Sequence, residues 1–97
     1  MSNSTFPLGR TLATPGALAA LEQAHVSPAS LLSRHASGDW GTLCDEDKQA
    51  NDAALIDGSR LLSAYVLPTK VKLWIITEAT DGKGQRAATT LLLPEEY

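Results

Sequence analysis

An imidazole four residues ahead of a carboxylate is the sharpest piece of chemistry in this chain. His35 and Asp39 lie within His35-Ala-Ser-Gly-Asp-Trp-Gly41, with an indole and a second glycine immediately behind them. A carboxylate beside an imidazole orients it and raises its pKa, as a general acid or base requires. The competing structural reading has His35 closing a helix C-terminus and Asp39 closing a turn through its own backbone. Trp40 could stack a base or line a pocket, but an indole buries so much area that the reading favoured here is a plug fastening the loop to the core.

Around this pair stand further candidates. Asp47 and Asn51 are four apart, so on a helix they share one face that could also see the loop. A metal site built from His35, Asp39 and Asp47 matches no ligand spacing, and His25 is remote in sequence, so no metal is expected. Nor does any motif call for another cofactor. Ser37, Ser63, Thr77, Thr89 and Thr90 offer hydroxyls without a nucleophile elbow. Arg60, Lys70, Lys72 and Arg86 could converge across neighbouring strands, with Trp74 among them, as a small phosphate- or RNA-binding surface. The commoner use of such residues is a charged rim protecting strand edges. Cys44, the sole cysteine, excludes an intrachain disulfide, and Asp45, Glu46 and Asp47 beside it disfavour a thiolate.

These residues need elements to position them. Thr14-Pro15 is a helix start, because the threonine hydroxyl can accept from a free first-turn N–H and proline loses a donor that had no partner there. A helix over Pro15–Ala24 follows, with Ala17, Leu18, Leu21 and Ala24 as its inward stripe. Ser27-Pro28 repeats the signal for a shorter helix ending at Gly38, with Arg34 and His35 in its last turn. A third helix opens on the acidic run at Asp45, stops at Gly58 and turns Ala50, Ala53 and Ala54 inward. From Ser59 the period changes to two. Strands are expected over Ser59–Leu67, Lys70–Glu78 and Arg86–Leu93, separated by Pro68-Thr69 and the turn Asp81-Gly82-Lys83-Gly84.

In the middle strand Val71, Leu73, Ile75 and Thr77 belong under the helices, while Lys72, Trp74, Ile76 and Glu78 form a second face that is not cleanly polar. A meander open to water on one side should alternate more strictly. Something must therefore cover the Trp74 face, either a helix or a partner subunit.

With 97 residues, 43% hydrophobic and 20% charged, the chain suits a single α+β domain: two or three N-terminal helices on an antiparallel three- or four-stranded meander. A further strand is placed near Arg10, and residues 1–7 are expected to fray. No apolar run approaches a membrane span. Met1–Phe6 carries no basic residue and no apolar run follows it, so a cytoplasmic location is expected. The net charge of -3 disfavours a nucleic-acid coat.

Several segments taken together resemble a family of small uncharacterised bacterial proteins that are often labelled plasmid-related, some as a type I restriction system subunit. They are the 35–41 loop, Asp47 with Asn51, Arg60-Leu61-Leu62-Ser63-Ala64-Tyr65, Trp74-Ile75-Ile76-Thr77-Glu78-Ala79 and Thr89-Thr90-Leu91-Leu92-Leu93-Pro94-Glu95-Glu96-Tyr97. The resemblance covers about Leu8 to Tyr97 and departs at Thr80–Gln85, where a longer hairpin stands. It implies no mechanism, since a methyltransferase subunit requires a cofactor-binding domain for which this chain is too short. The leading expectation is a non-enzymatic accessory or interaction protein, self-associating or binding a protein partner through the Trp74 face because that face is not cleanly polar; the resemblance adds only that such proteins are carried by mobile elements. An alternative comes from the order of elements, which is also that of small barnase-like ribonuclease toxins. In that reading His35 is the general base, and Arg60, Lys72, Arg86 and Tyr97 act on the phosphate.

Overall fold

The structure, a computed structural model, describes residues 5–97. It is an α+β fold: strand β1 (Arg10–Ala13), helices α1 (Pro15–Ala24), α2 (Pro28–Ala36) and α3 (Asp45–Asp57), then strands β2 (Leu61–Val66), β3 (Lys72–Thr77) and β4 (Ala88–Leu92). A 3-10 turn, Pro94–Glu96, follows.

Helix boundaries follow local chemistry. The Thr14 side chain accepts from the Ala17 N–H and that of Ser27 from the Ala29 N–H, each ahead of a proline at the helix start. Gly38, at φ +89°, ends α2 with the Asp39 N–H reaching back to the Arg34 carbonyl. Gly58 closes α3 in the left-handed region. Strands are shorter than their periodicity suggests, because an Asp57 carboxylate holds the Ser59 N–H in a turn and Lys70 adopts φ +75°.

The sheet runs β1-β4-β3-β2. β2, β3 and β4 form the expected antiparallel meander, but β1 lies parallel to β4, so the sheet is mixed. Parallel pairing is open to β1 because three helices and two strands intervene before β4, far more chain than a parallel crossover needs. Consequently β4 is an interior strand. The residues after β4 turn over the second face, where Tyr97 meets Trp74 edge-on at 5.9 Å.

Helices cover one face. Ala17, Ala20, Leu21 and Ala24 of α1 and Leu31 of α2 pack on Tyr65, Leu73, Ile75 and Leu91. A smaller cluster joins Phe6, Trp40, Ala54 and Leu61. Two helix faces differ from expectation. Ala20 replaces Leu18, which is 50% exposed. In α3, Asn51 and Ala54 are buried while Ala50 and Ala53 face water, because α3 meets the sheet at its β2 edge and not across its face. Of the stretch expected to fray, residues 1–4 lie outside the described residues. Thr5 is tied to the Ala36 carbonyl through both its N–H and its hydroxyl, and Phe6 is buried.

Candidate functional site

The candidate dyad does not form, and Asp39 closes a local turn as the competing reading has it. The Asp39 carboxylate turns to the surface, where Arg34 Nε holds one oxygen at 2.7 Å and the Gly41 N–H holds the other. That ion pair keeps Asp39 below the usual carboxylate range. The Arg34 guanidinium also lies over the Tyr65 ring, and the Tyr65 hydroxyl donates to the Asp39 carbonyl at 2.6 Å. The loop is thus closed by groups that the helix end and the sheet supply.

His35 points the other way, into the protein, and is 0% exposed. Its Nδ1 lies 2.5 Å from Ser63 Oγ and its Nε2 lies 2.8 Å from Thr77 Oγ1. The Thr77 hydroxyl is 2.8 Å from that of Thr89, and Thr89 donates to the Leu8 carbonyl at 2.7 Å. A carbonyl can only accept, and this decides every proton upstream. Thr89 gives its proton to Leu8 and accepts from Thr77; Thr77 then accepts from His35 Nε2–H; Nδ1 accepts from Ser63. The ring is the neutral Nε2–H tautomer. Burial, and secondarily the nearby Arg86 charge, lowers its pKa to about 4. Phe6 and Trp40 wall the ring edge-on at 5.2 and 5.7 Å. A group that no solvent reaches and that donates and accepts only within the fold is a core histidine.

The other candidates disperse. Trp40 is the plug: it is buried, stacks on Phe6 and donates its indole N–H to Asp52 at 3.1 Å. Asp47 is exposed on the first turn of α3. Asn51 pairs with the backbone of Leu62, accepting from its N–H at 3.1 Å and donating to its carbonyl at 2.6 Å, as a neighbouring strand would. Arg86 is buried at 6% exposure, and its guanidinium donates to the carbonyls of Ser59, Glu78 and Ala54. Arg60 binds the Tyr97 hydroxyl and lies against its ring. Lys72 starts β3, whereas Arg60 flanks the strand pair at its other end, beside the Leu61–Thr77 pair. At about 3.4 Å per residue these two cations are well over 10 Å apart along the sheet. His35, Asp39, Asp47 and Asn51 do not converge, and the basic residues form no common cleft.

What remains open is the second sheet face. Leu12, Leu62, Val66, Trp74, Ile76 and Leu92 share it by strand alternation and register. Arg60, Ile76, Glu78, Thr90, Leu92 and Tyr97 line a shallow basin of about 210 Å³ there. Leu12, Val66 and Tyr97 are 41%, 47% and 68% exposed. Among the described residues no helix covers this face; the turn Pro94–Glu96 and Tyr97 cover part of it.

Comparison with protein-family models, curated proteins and solved structures finds no match.

Sequence reasoning passed over the hydroxyl chain through His35. Its signal was present: Thr77 stands at an inward position of β3, and a polar side chain there requires a buried partner. The end-to-end order from Ser63 to Leu8 could not be read, because its members come from five separated segments.

Proposed function

We propose that the protein is a non-enzymatic interaction module whose working surface is the Trp74 face. The observation that carries this reading is the exposed apolar strip on that face, Leu12, Val66 and Tyr97 around the half-buried Trp74. Exposed apolar area of this kind, rimmed by charge, marks association surfaces in soluble folds. Arg60 and Glu78 stand at one end of the strip and Lys72 at the other. A protein surface with an apolar ridge suits it better than a phosphate backbone, since the cations are separated and Arg86 is enclosed. Of the candidate catalytic groups, His35, Asp39, Arg60 and Arg86 are occupied by intrachain hydrogen bonds, which argues for the same reading. Association with a mobile element is carried by the resemblance. No helix among the described residues is long and apolar enough to cross a membrane.

The test is site-specific photocrosslinking. A benzophenone side chain at position 74 should give a discrete protein adduct, while the same group at position 56, where Ile56 is 90% exposed on α3, should not. No adduct at 74, or equal adducts at both positions, would count against the Trp74 face.

A further inference from the structure

The two edges of the sheet are treated differently. At the β2 edge, Asn51 satisfies both backbone groups of Leu62. The segment Trp40–Thr42 satisfies Ala64: the Ala64 N–H donates to the Trp40 carbonyl, and the Thr42 N–H donates to the Ala64 carbonyl at 2.7 Å. At the other edge, β1 has no such cover among the described residues. The Arg10 N–H donates to the Ala87 carbonyl and the Thr14 N–H to the Leu91 carbonyl, so even-numbered residues of β1 face β4. The backbone groups of Thr11 and Ala13 therefore point away from the sheet. The strand carries no proline, lysine or bulge to blunt that edge; it is four residues long, its one charge is Arg10, and Leu12 stands 41% exposed on it.

We propose that β1 pairs antiparallel with β1 of a second copy of this chain about a two-fold axis through Leu12. In that register Thr11 lies opposite Ala13 of the second copy, and the two exchange both N–H···O bonds; the symmetry repeats the exchange. Leu12 meets its own counterpart in a non-hydrogen-bonded pair, where Cα atoms approach to ~4.5 Å and side chains pack closely. Arg10 falls opposite Thr14 of the second copy, and the Thr14 hydroxyl holds the Glu96 carboxylate at 2.6 Å. The same two-fold thus brings each guanidinium toward the other copy's carboxylate. Opposite charge, matched backbone groups and an apolar centre all coincide in this one register. Because opposed residues share a sheet face, the axis is perpendicular to the sheet, and both Trp74 faces lie on one side of a continuous eight-stranded sheet. The pairing does not depend on the Trp74 face having a partner. It is short, so it is concentration-dependent and not obligate.

Sedimentation velocity from micromolar to millimolar protein should show a rising dimer fraction that added salt reduces. Thr11→Pro removes an outward N–H without touching the β4 ladder and should abolish the dimer, while Arg10→Glu should weaken it about tenfold. Circular dichroism establishes that each variant is folded. A second measurement is independent of the proline's effect on folding. In a Cys44→Ser background, Leu12→Cys should form an interchain disulfide under mild oxidation, and Leu18→Cys, equally exposed on α1, should not. A monomer at every concentration, a dimer that survives Thr11→Pro, or equal cross-linking at positions 12 and 18 overturns the proposal.

Discussion

His35 is held neutral because no water can solvate a charge at its buried ring and, secondarily, because the Arg86 guanidinium disfavours one. In the unfolded chain it takes up a proton near pH 6.5; in the folded protein it does so only near pH 4. Between those values the unfolded state binds more protons than the folded one. The stability contributed by the neutral ring is therefore complete above pH 6.5, falls as pH drops toward 4 and is level below that. The loss approaches about 3 kcal/mol, near 1.4 kcal/mol per pH unit. Urea denaturation of the wild type and His35→Gln across pH 4–7 checks this, since the difference between the two removes carboxylates common to both. The wild type should show the extra slope, and His35→Gln should lack it. Nitrogen-15 shifts of the imidazole should report the neutral Nε2–H tautomer at pH 7 and give way to imidazolium only as pH approaches 4. At the next member of the chain, Thr77→Val leaves the His35 N–H without an acceptor and should cost about 1–3 kcal/mol, whereas Thr77→Ser, which keeps the hydroxyl, should cost less.

The element most dependent on a small number of residues is the β2 edge. Gly41 is at φ +77° beside the Ala64 carbonyl, and a Cβ there would overlap that oxygen. Gly41→Ala combines a left-handed backbone penalty with loss of the bridge to Ala64, for an expected cost of about 2–4 kcal/mol. Hydrogen exchange locates the damage: the Ala64 and Thr42 amides should lose protection, while the β3–β4 amides keep theirs. Asn51→Leu should expose the Leu62 amide in the same experiment, because leucine retains bulk but neither donates nor accepts. The local legibility of the chain belongs at this scale. Helices α1 and α3 are readable to the residue, since capping and proline act over three or four positions. The inward face of α3 is not readable, since it depends on which part of the sheet the helix meets.

The whole molecule is fastened where Arg86 enters it. Its guanidinium joins the end of α3 through Ala54, the approach to β2 through Ser59 and the end of β3 through Glu78, all by carbonyl oxygens. Burial lowers the Arg86 pKa, partly offset by Asp57, yet the group stays charged because three carbonyls surround it. Arg86→Met leaves those oxygens without their donor and should cost about 3 kcal/mol, a fall in Tm of roughly 12–24 °C for a domain of this size. Arg86→Lys should recover only part of it, since one ammonium cannot reproduce the fork geometry. By contrast Trp74→Lys, at a half-buried position on the open face, should change Tm by far less. A basic residue in the sequence, read as a possible phosphate ligand, is in the fold a structural staple.

The sequence by itself determined the α+β class, the three helices and their caps, the meander, and the apolar character of the second face. Each follows from patterns within a few residues: period, punctuation and first-turn chemistry. Only the tertiary structure decided that β1 lies parallel to β4, that Asp39 turns to Arg34 and away from His35, and that Ser63 and Thr77 meet the imidazole while Thr89 continues the chain from Thr77. Those outcomes depend on which distant segments share the same few ångströms, and a hydrogen bond between Thr89 and Leu8 leaves no mark on the residues beside either one.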